Sequence, residues 1–157
     1  MPLDRFTQNF LDDPNNDEVA KDNIRKLMSS HLITGMKLQM EGSLHEAIEE
    51  FSKENERPVI SDIDKEIVQK SYVHIGVAYR KLGEIENAKA AFMKAYELWK
   101  QYGIGSAPHY HLAEILIEQG QLDDAIAMCR EQLADIPDGG IKQLLAKALE
   151  LKKRGKE

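Results

Sequence analysis

The chain has 157 residues, 42% of them hydrophobic, with a formal charge of −6, one cysteine and five prolines. That is one domain's worth of chain with enough apolar residues for a core, and its acidic balance argues against nonspecific binding of DNA or RNA, which needs a basic face. A single cysteine cannot close an internal disulfide, and no apolar run approaches the roughly 18 residues of a membrane span.

At the N-terminus, Asp4, Arg5, Gln8 and Asp12 interrupt the hydrophobes, so no secretory leader is expected and a cytoplasmic location is the default. Phe6 and Phe10, with Leu3, could line one face of a short helix, which Asp12-Asp13-Pro14-Asn15-Asn16 then breaks. A helix that short is marginal alone, so residues 1–16 are expected to form a flexible arm. From Asp17 to Met40 a helical pattern resumes through Val19, Ile24, Leu27, Met28 and Leu32. It contains His31-x2-Thr34-Gly35-x2-Leu38, followed after Glu41-Gly42-Ser43 by Ala47-x3-Phe51, with Pro58 beyond.

Ser61 is placed to cap the next helix, whose apolar stripe runs from Ile60, Ile63 and Ile67 into Val68, Tyr72, Ile75, Tyr79 and Leu82. Here the same spacing recurs almost complete: Tyr72-x2-Ile75-Gly76-x2-Tyr79, a Leu82-Gly83-Glu84 turn, then Ala88-x3-Phe92-x2-Ala95. Leu98 and Trp99 prolong that helix until Gly103-Ile104-Gly105 stops it. A third copy reads His109-x2-Leu112-Ala113-x2-Leu116, Gln119-Gly120-Gln121, Ala125-x3-Cys129, with Pro137 after it. Gly140 to Arg154 reads as a last helix with Ile141, Leu144, Leu145, Ala148 and Leu149 on one side and lysines on the other, as a solvating cap requires.

The alternation of small and large residues has a physical sense. Two antiparallel helices approach closely only where side chains are small, so Gly35 with Ala47, Gly76 with Ala88 and Ala113 with Ala125 mark crossing points. Each turn glycine sits just past a helix, where a left-handed backbone is least costly for that residue. Those glycines are 83 − 42 = 41 and 120 − 83 = 37 residues apart.

Across roughly residues 28–138 this pattern resembles the tetratricopeptide repeat family, whose usual period is about 34 residues. The resemblance implies an all-α fold, a right-handed α-α superhelix of antiparallel helix pairs, with repeats at about 28–61, 69–102 and 106–139, a capping helix at 140–154 and a tail at 155–157. The extra length is similar to long-helix members of that family found in sensors and adaptors.

Catalysis finds little support. His109 and His111 are two residues apart and so point to different sides of a helix; His109 takes a core-aromatic slot and is expected to be a satisfied core histidine. His74 and His111 occupy equivalent places in successive repeats, and ordinary surface histidines are favoured over a metal or pH-sensing pair. Cys129 stands where a Phe usually packs, so a buried, inert thiol is expected. Glu49-Glu50 and Asp123-Asp124 lie on polar helix faces as solvated charge, and Gly103-x-Gly105 is too short for a phosphate loop. Neither enzymatic activity, a cofactor nor a metal is expected.

The resemblance implies that the first helix of each pair lines a concave surface. By alignment the inward residues are Leu32, Met36, Gln39 and Met40; Lys70, Val73, Val77, Arg80 and Lys81; and Ala107, Tyr110, Glu114, Ile117 and Glu118. Some members of the family clamp a chaperone's C-terminal carboxylate with Lys, Asn and Arg, but here Leu32, Met36, His74, Ala107 and His111 stand in those places. An apolar or amphipathic protein segment is the more natural ligand. The expected function is therefore a non-enzymatic adaptor or assembly module. The alternatives are a self-assembling scaffold, a homo-oligomer whose groove is filled by its own or a neighbour's arm, and a peptide-signal sensor of the long-helix type.

Overall fold

A computed structural model describes residues 5–21, 31–103 and 108–155. Among them the regular elements are helices: α1 (Arg5–Asp12), α2 (His31–Met40), α3 (Leu44–Ser52), α4 (Asp62–Lys81), α5 (Ile85–Tyr102), α6 (His109–Glu118), α7 (Leu122–Asp135) and α8 (Gly139–Gly155), with a further helical stretch at 18–21. The extra helix expected before the first pair, and the Ile104 and Gly105 of the expected stop signal, fall partly or wholly outside the described residues.

Helices α2 to α7 form three antiparallel pairs, α2/α3, α4/α5 and α6/α7, each packed on the next, and α8 lies against both helices of the third pair. Every intra-pair turn is made by a glycine with a left-handed backbone: Gly42 at φ 84°, Gly83 at φ 79° and Gly120 at φ 74°. The middle pair is long. Its helices have 20 and 18 residues, against 10 and 9 in the first pair, so α4 spans about 30 Å and α2 about 15 Å.

The early start of α4 is fixed by Ser61, whose hydroxyl accepts from the Asp64 backbone N–H while the Asp64 side chain accepts from the Ser61 backbone N–H, a reciprocal capping box. Arg57 Nε donates to Asp64 at 2.8 Å and its other arm reaches the buried Glu54 at 3.0 Å. The Arg57 guanidinium, followed by the backbone N–H groups of Ile60 and Ser61, holds the Asp64 carboxyl far below the usual carboxylate range. This pins the connection between the first two pairs. Ile60, expected to begin the α4 stripe, is instead 89% exposed, because it precedes the cap and lies outside the helix.

Inside each pair the small and large positions meet. A Cβ placed on Gly76 would lie 2.6 Å from the Phe92 ring, and Gly35 faces Phe51 just as tightly. Phe51 and Phe92 are fully buried, so neither ring has free space into which to retreat. The third pair keeps the spacing with different volumes, Ala113 and Cys129, both fully buried in one cluster with Ala125, Ile126, Ile141 and Leu144. A larger residue on α6 coincides with a smaller one on α7. Burial removes Cys129 from solvent and pushes its thiol up, as expected of an inert cysteine.

Candidate functional site

Between the pairs, one stacked aromatic contact at each joint adds to the aliphatic clusters. His74 on α4 stacks on Phe51 of α3, ring centroids 5.0 Å apart, and His111 on α6 stacks on Phe92 of α5 at 4.7 Å with the rings 2° from parallel. These two histidines are not ordinary surface groups. Burial pushes both imidazoles below their ordinary value; neighbouring Lys70, and His111 itself, add to the effect at His74, whereas at His111 Glu114 opposes it and Arg80 adds to it. Their equivalent positions were visible in the sequence, but the plate beneath each belongs to the preceding pair, which local spacing does not reveal.

The first helices of the pairs, α2, α4 and α6, carry the residues expected to face inward, and the structure sorts them into three kinds. Leu32 and Ile117 are core, 4% and 7% exposed, the first among Phe51, Ile67 and Ile75 and the second among Ala113, Leu116 and Ala125. Val73 and Val77 are half-buried and pack on the cluster of Ala88, Phe92, Leu112 and Ile115 that joins the middle pair to the third. Leu32, Ile117, Val73 and Val77 are therefore structural contacts first, Leu32, Val73 and Val77 where one pair closes on the next and Ile117 inside the cluster shared by α6, α7 and α8. Met36, Met40 and Tyr110 remain 45%, 84% and 39% exposed. The Tyr110 ring lies 3.2 Å from where a Cβ would stand on Gly140, so it leans on the start of α8. Ala107 lies outside the described residues.

The polar members neutralise one another. Arg80 on α4 donates to Glu114 at 2.7 Å and to Glu118, which sit one turn apart on α6. What the sequence presents as a basic cluster followed by an acidic one is in part a bridge across the joint. Lys81 stays exposed, Gln39 and Lys70 are half-buried, and Glu118 remains exposed beside its pairing with Arg80. A second polar seam crosses the same joint, where Lys89 donates to Gln119 at 3.0 Å and Gln121 at 3.1 Å, and Gln119 donates to Glu86 at 2.7 Å.

Some of the remaining titratable groups have structural partners. Glu50, expected to be solvated, accepts from His31 Nδ1 at 2.5 Å and Lys53 at 2.7 Å, and Lys53 first and His31 second hold its carboxyl below the usual range. Asp123 pairs with Lys152 of α8 at 2.5 Å, tying the cap to the third pair. His109 is fully buried, as its core slot suggests, yet among the described residues neither ring nitrogen has a hydrogen-bond partner. Among those residues no group of three or more His, Cys, Asp or Glu side chains could hold a metal ion, and no helix is long and apolar enough to cross a membrane.

A family model for the tetratricopeptide repeat matches residues 69–101, which is the body of α4 and α5. No curated protein matches the chain. Residues 69–101 are thus similar to a tetratricopeptide repeat, and the described residues fold as an all-α solenoid of the tetratricopeptide type. Such repeats generally mediate protein–protein interaction and are typically non-enzymatic.

Proposed function

We propose that the protein is a non-enzymatic adaptor or assembly module that binds an apolar or amphipathic segment of another protein along the face made by α2, α4 and α6. The observation that carries this reading is the exposure of Met36, Met40 and Tyr110 while the clusters behind them are closed. Methionine suits the task, since its unbranched, polarizable side chain adapts to differently shaped apolar partners. Lys81, exposed on the same helix as the pre-engaged Arg80, supplies a free cation at the rim. Because Arg80, Glu114 and Glu118 already satisfy one another, the surface favours apolar contact over recognition of a charged terminus.

Selection of displayed peptides against the purified protein tests this. Enriched sequences are expected to carry apolar residues at helical or alternate spacing, and Met36→Glu with Met40→Glu is expected to abolish their binding without altering the circular dichroism. Enrichment of charged tails, or binding indifferent to both substitutions, would refute the assignment.

A further inference from the structure

His109 stands at the place where α5, α6 and α7 meet. Its ring meets Trp99 edge-on at 4.6 Å and Tyr96 at 5.3 Å, both on α5, and Glu131 of α7 lies 3.7 Å from its Nε2. That carboxylate is already engaged, accepting the Tyr96 hydroxyl at 2.6 Å. The charged and titratable groups facing His109 are thus Tyr96 and Lys100 from α5, the lysine lying 5.4 Å over the Tyr96 ring, and Glu131 and Asp135 from α7. His109 is also the first residue of α6, where the helix dipole disfavours a positive charge.

We propose that His109 is an acid-sensitive latch on the joint between the middle and third helix pairs, and that its protonation releases α6, α7 and α8 from α5. The neutral ring fills an aromatic slot and asks little of its surroundings. The imidazolium carries two donors. One could reach Glu131 by a movement of about 1 Å toward ordinary hydrogen-bond distance, in competition with Tyr96. The other, on Nδ1, faces no acceptor among the described residues, so a buried cation is satisfied only by water. Water reaches it when the joint opens. Burial accordingly pushes the His109 imidazole down, with Glu131 and Asp135 opposing in part. In the opened state the ring returns to its ordinary value of 6.5, so the opened state binds more protons, and acid favours opening.

Trp99, the chain's one tryptophan, reports on this site directly. The whole protein would be followed from pH 7.5 to 5 by Trp99 fluorescence and by amide hydrogen exchange, with His109→Phe measured in parallel at each pH. In the wild type the opening constant for α6 to α8 is expected to rise by up to about tenfold per pH unit below the ordinary imidazole value, with a matching change in Trp99 emission. In His109→Phe the Trp99 change is expected to vanish and the rise in the opening constant to shrink to the smaller part contributed by His111, which stacks on Phe92 across the same joint. A loss of protection in His109→Phe as large as in the wild type would overturn the proposal. If that variant does not fold, proton NMR of the wild-type His109 ring decides: titration accompanied by loss of protection in α6 to α8 supports the latch, and titration with protection unchanged refutes it.

Discussion

Gly76→Ala adds one methyl group to the tightest point of the middle pair. The new carbon would lie 2.6 to 2.7 Å from three atoms of the Phe92 ring, roughly 1 Å inside ordinary carbon contact. Phe92 is fully buried and lies flat against His111 at 4.7 Å, so pushing the ring away compresses the next joint. Overpacking of this kind costs about 1 to 3 kcal/mol, and the better helix propensity of alanine returns about 1 kcal/mol. The net expectation is a loss of up to about 2 kcal/mol, or a melting midpoint lowered by as much as about 8 °C for a chain of this size. Gly83→Ala provides the contrast, since nothing lies within 4 Å of its Cβ and only the φ of 79° opposes it, at about 1 to 2 kcal/mol. A double-mutant cycle separates the mechanisms. Phe92→Cys should make Gly76→Ala nearly free of cost, reproducing the Ala113 and Cys129 pairing of the third repeat, and should leave the cost of Gly83→Ala unchanged. A Gly76→Ala midpoint at or above wild type, or no coupling to Phe92, would refute the size-matching explanation.

Global stability should fall as pH drops below 6.5, because burial holds His74, His109 and His111 below that ordinary value; their neutral forms stabilise the fold above it and the unfolded chain takes up protons below it. Chemical denaturation at pH 7.5 and 5.5 reads this as a lower midpoint at the acidic value. Cys129 should react with a thiol reagent at least tenfold more slowly in the native protein than in denaturant, given its burial and raised pKa. Arg80→Met should cost no more than about 1 kcal/mol and lose even that in high salt, since its partners are partly exposed. Val77→Glu should destabilise measurably by thermal melt because Val77 packs on the Phe92 and Leu112 cluster, whereas Met40→Glu should leave the midpoint within about 0.5 kcal/mol of wild type.

The helix pairs and their crossing points were legible in the sequence because Gly35, Gly76 and Ala113 each recur 16 residues before Phe51, Phe92 and Cys129, and a local period is what two packed helices require. The turn glycines and the Ser61 cap were legible for the same reason, being determined by residues a few positions away. Contacts between pairs were not. Whether Val77 faces solvent or Phe92, and whether Arg80 is free or spent on Glu114 and Glu118, depends on how far one pair rotates over the next. The stacking of His74 and His111 on the preceding pair's phenylalanines belongs to that class. Of the residues expected to line a groove, Met36, Met40 and Tyr110 are exposed, while Leu32 and Ile117 are core because the first and third pairs bury that edge of their first helix.

The proposed binding face is tested most directly by photocrosslinking in the source cell, with p-benzoylphenylalanine introduced in turn at Met36, Met40 and Tyr110, and as controls at the exposed Lys94 of α5 and Lys147 of α8. A shared protein adduct at the first three positions, absent from both controls, is the expected result. Adducts from Lys94 or Lys147 with none from Met36, Met40 or Tyr110 would contradict it and move the interaction to another face of the solenoid.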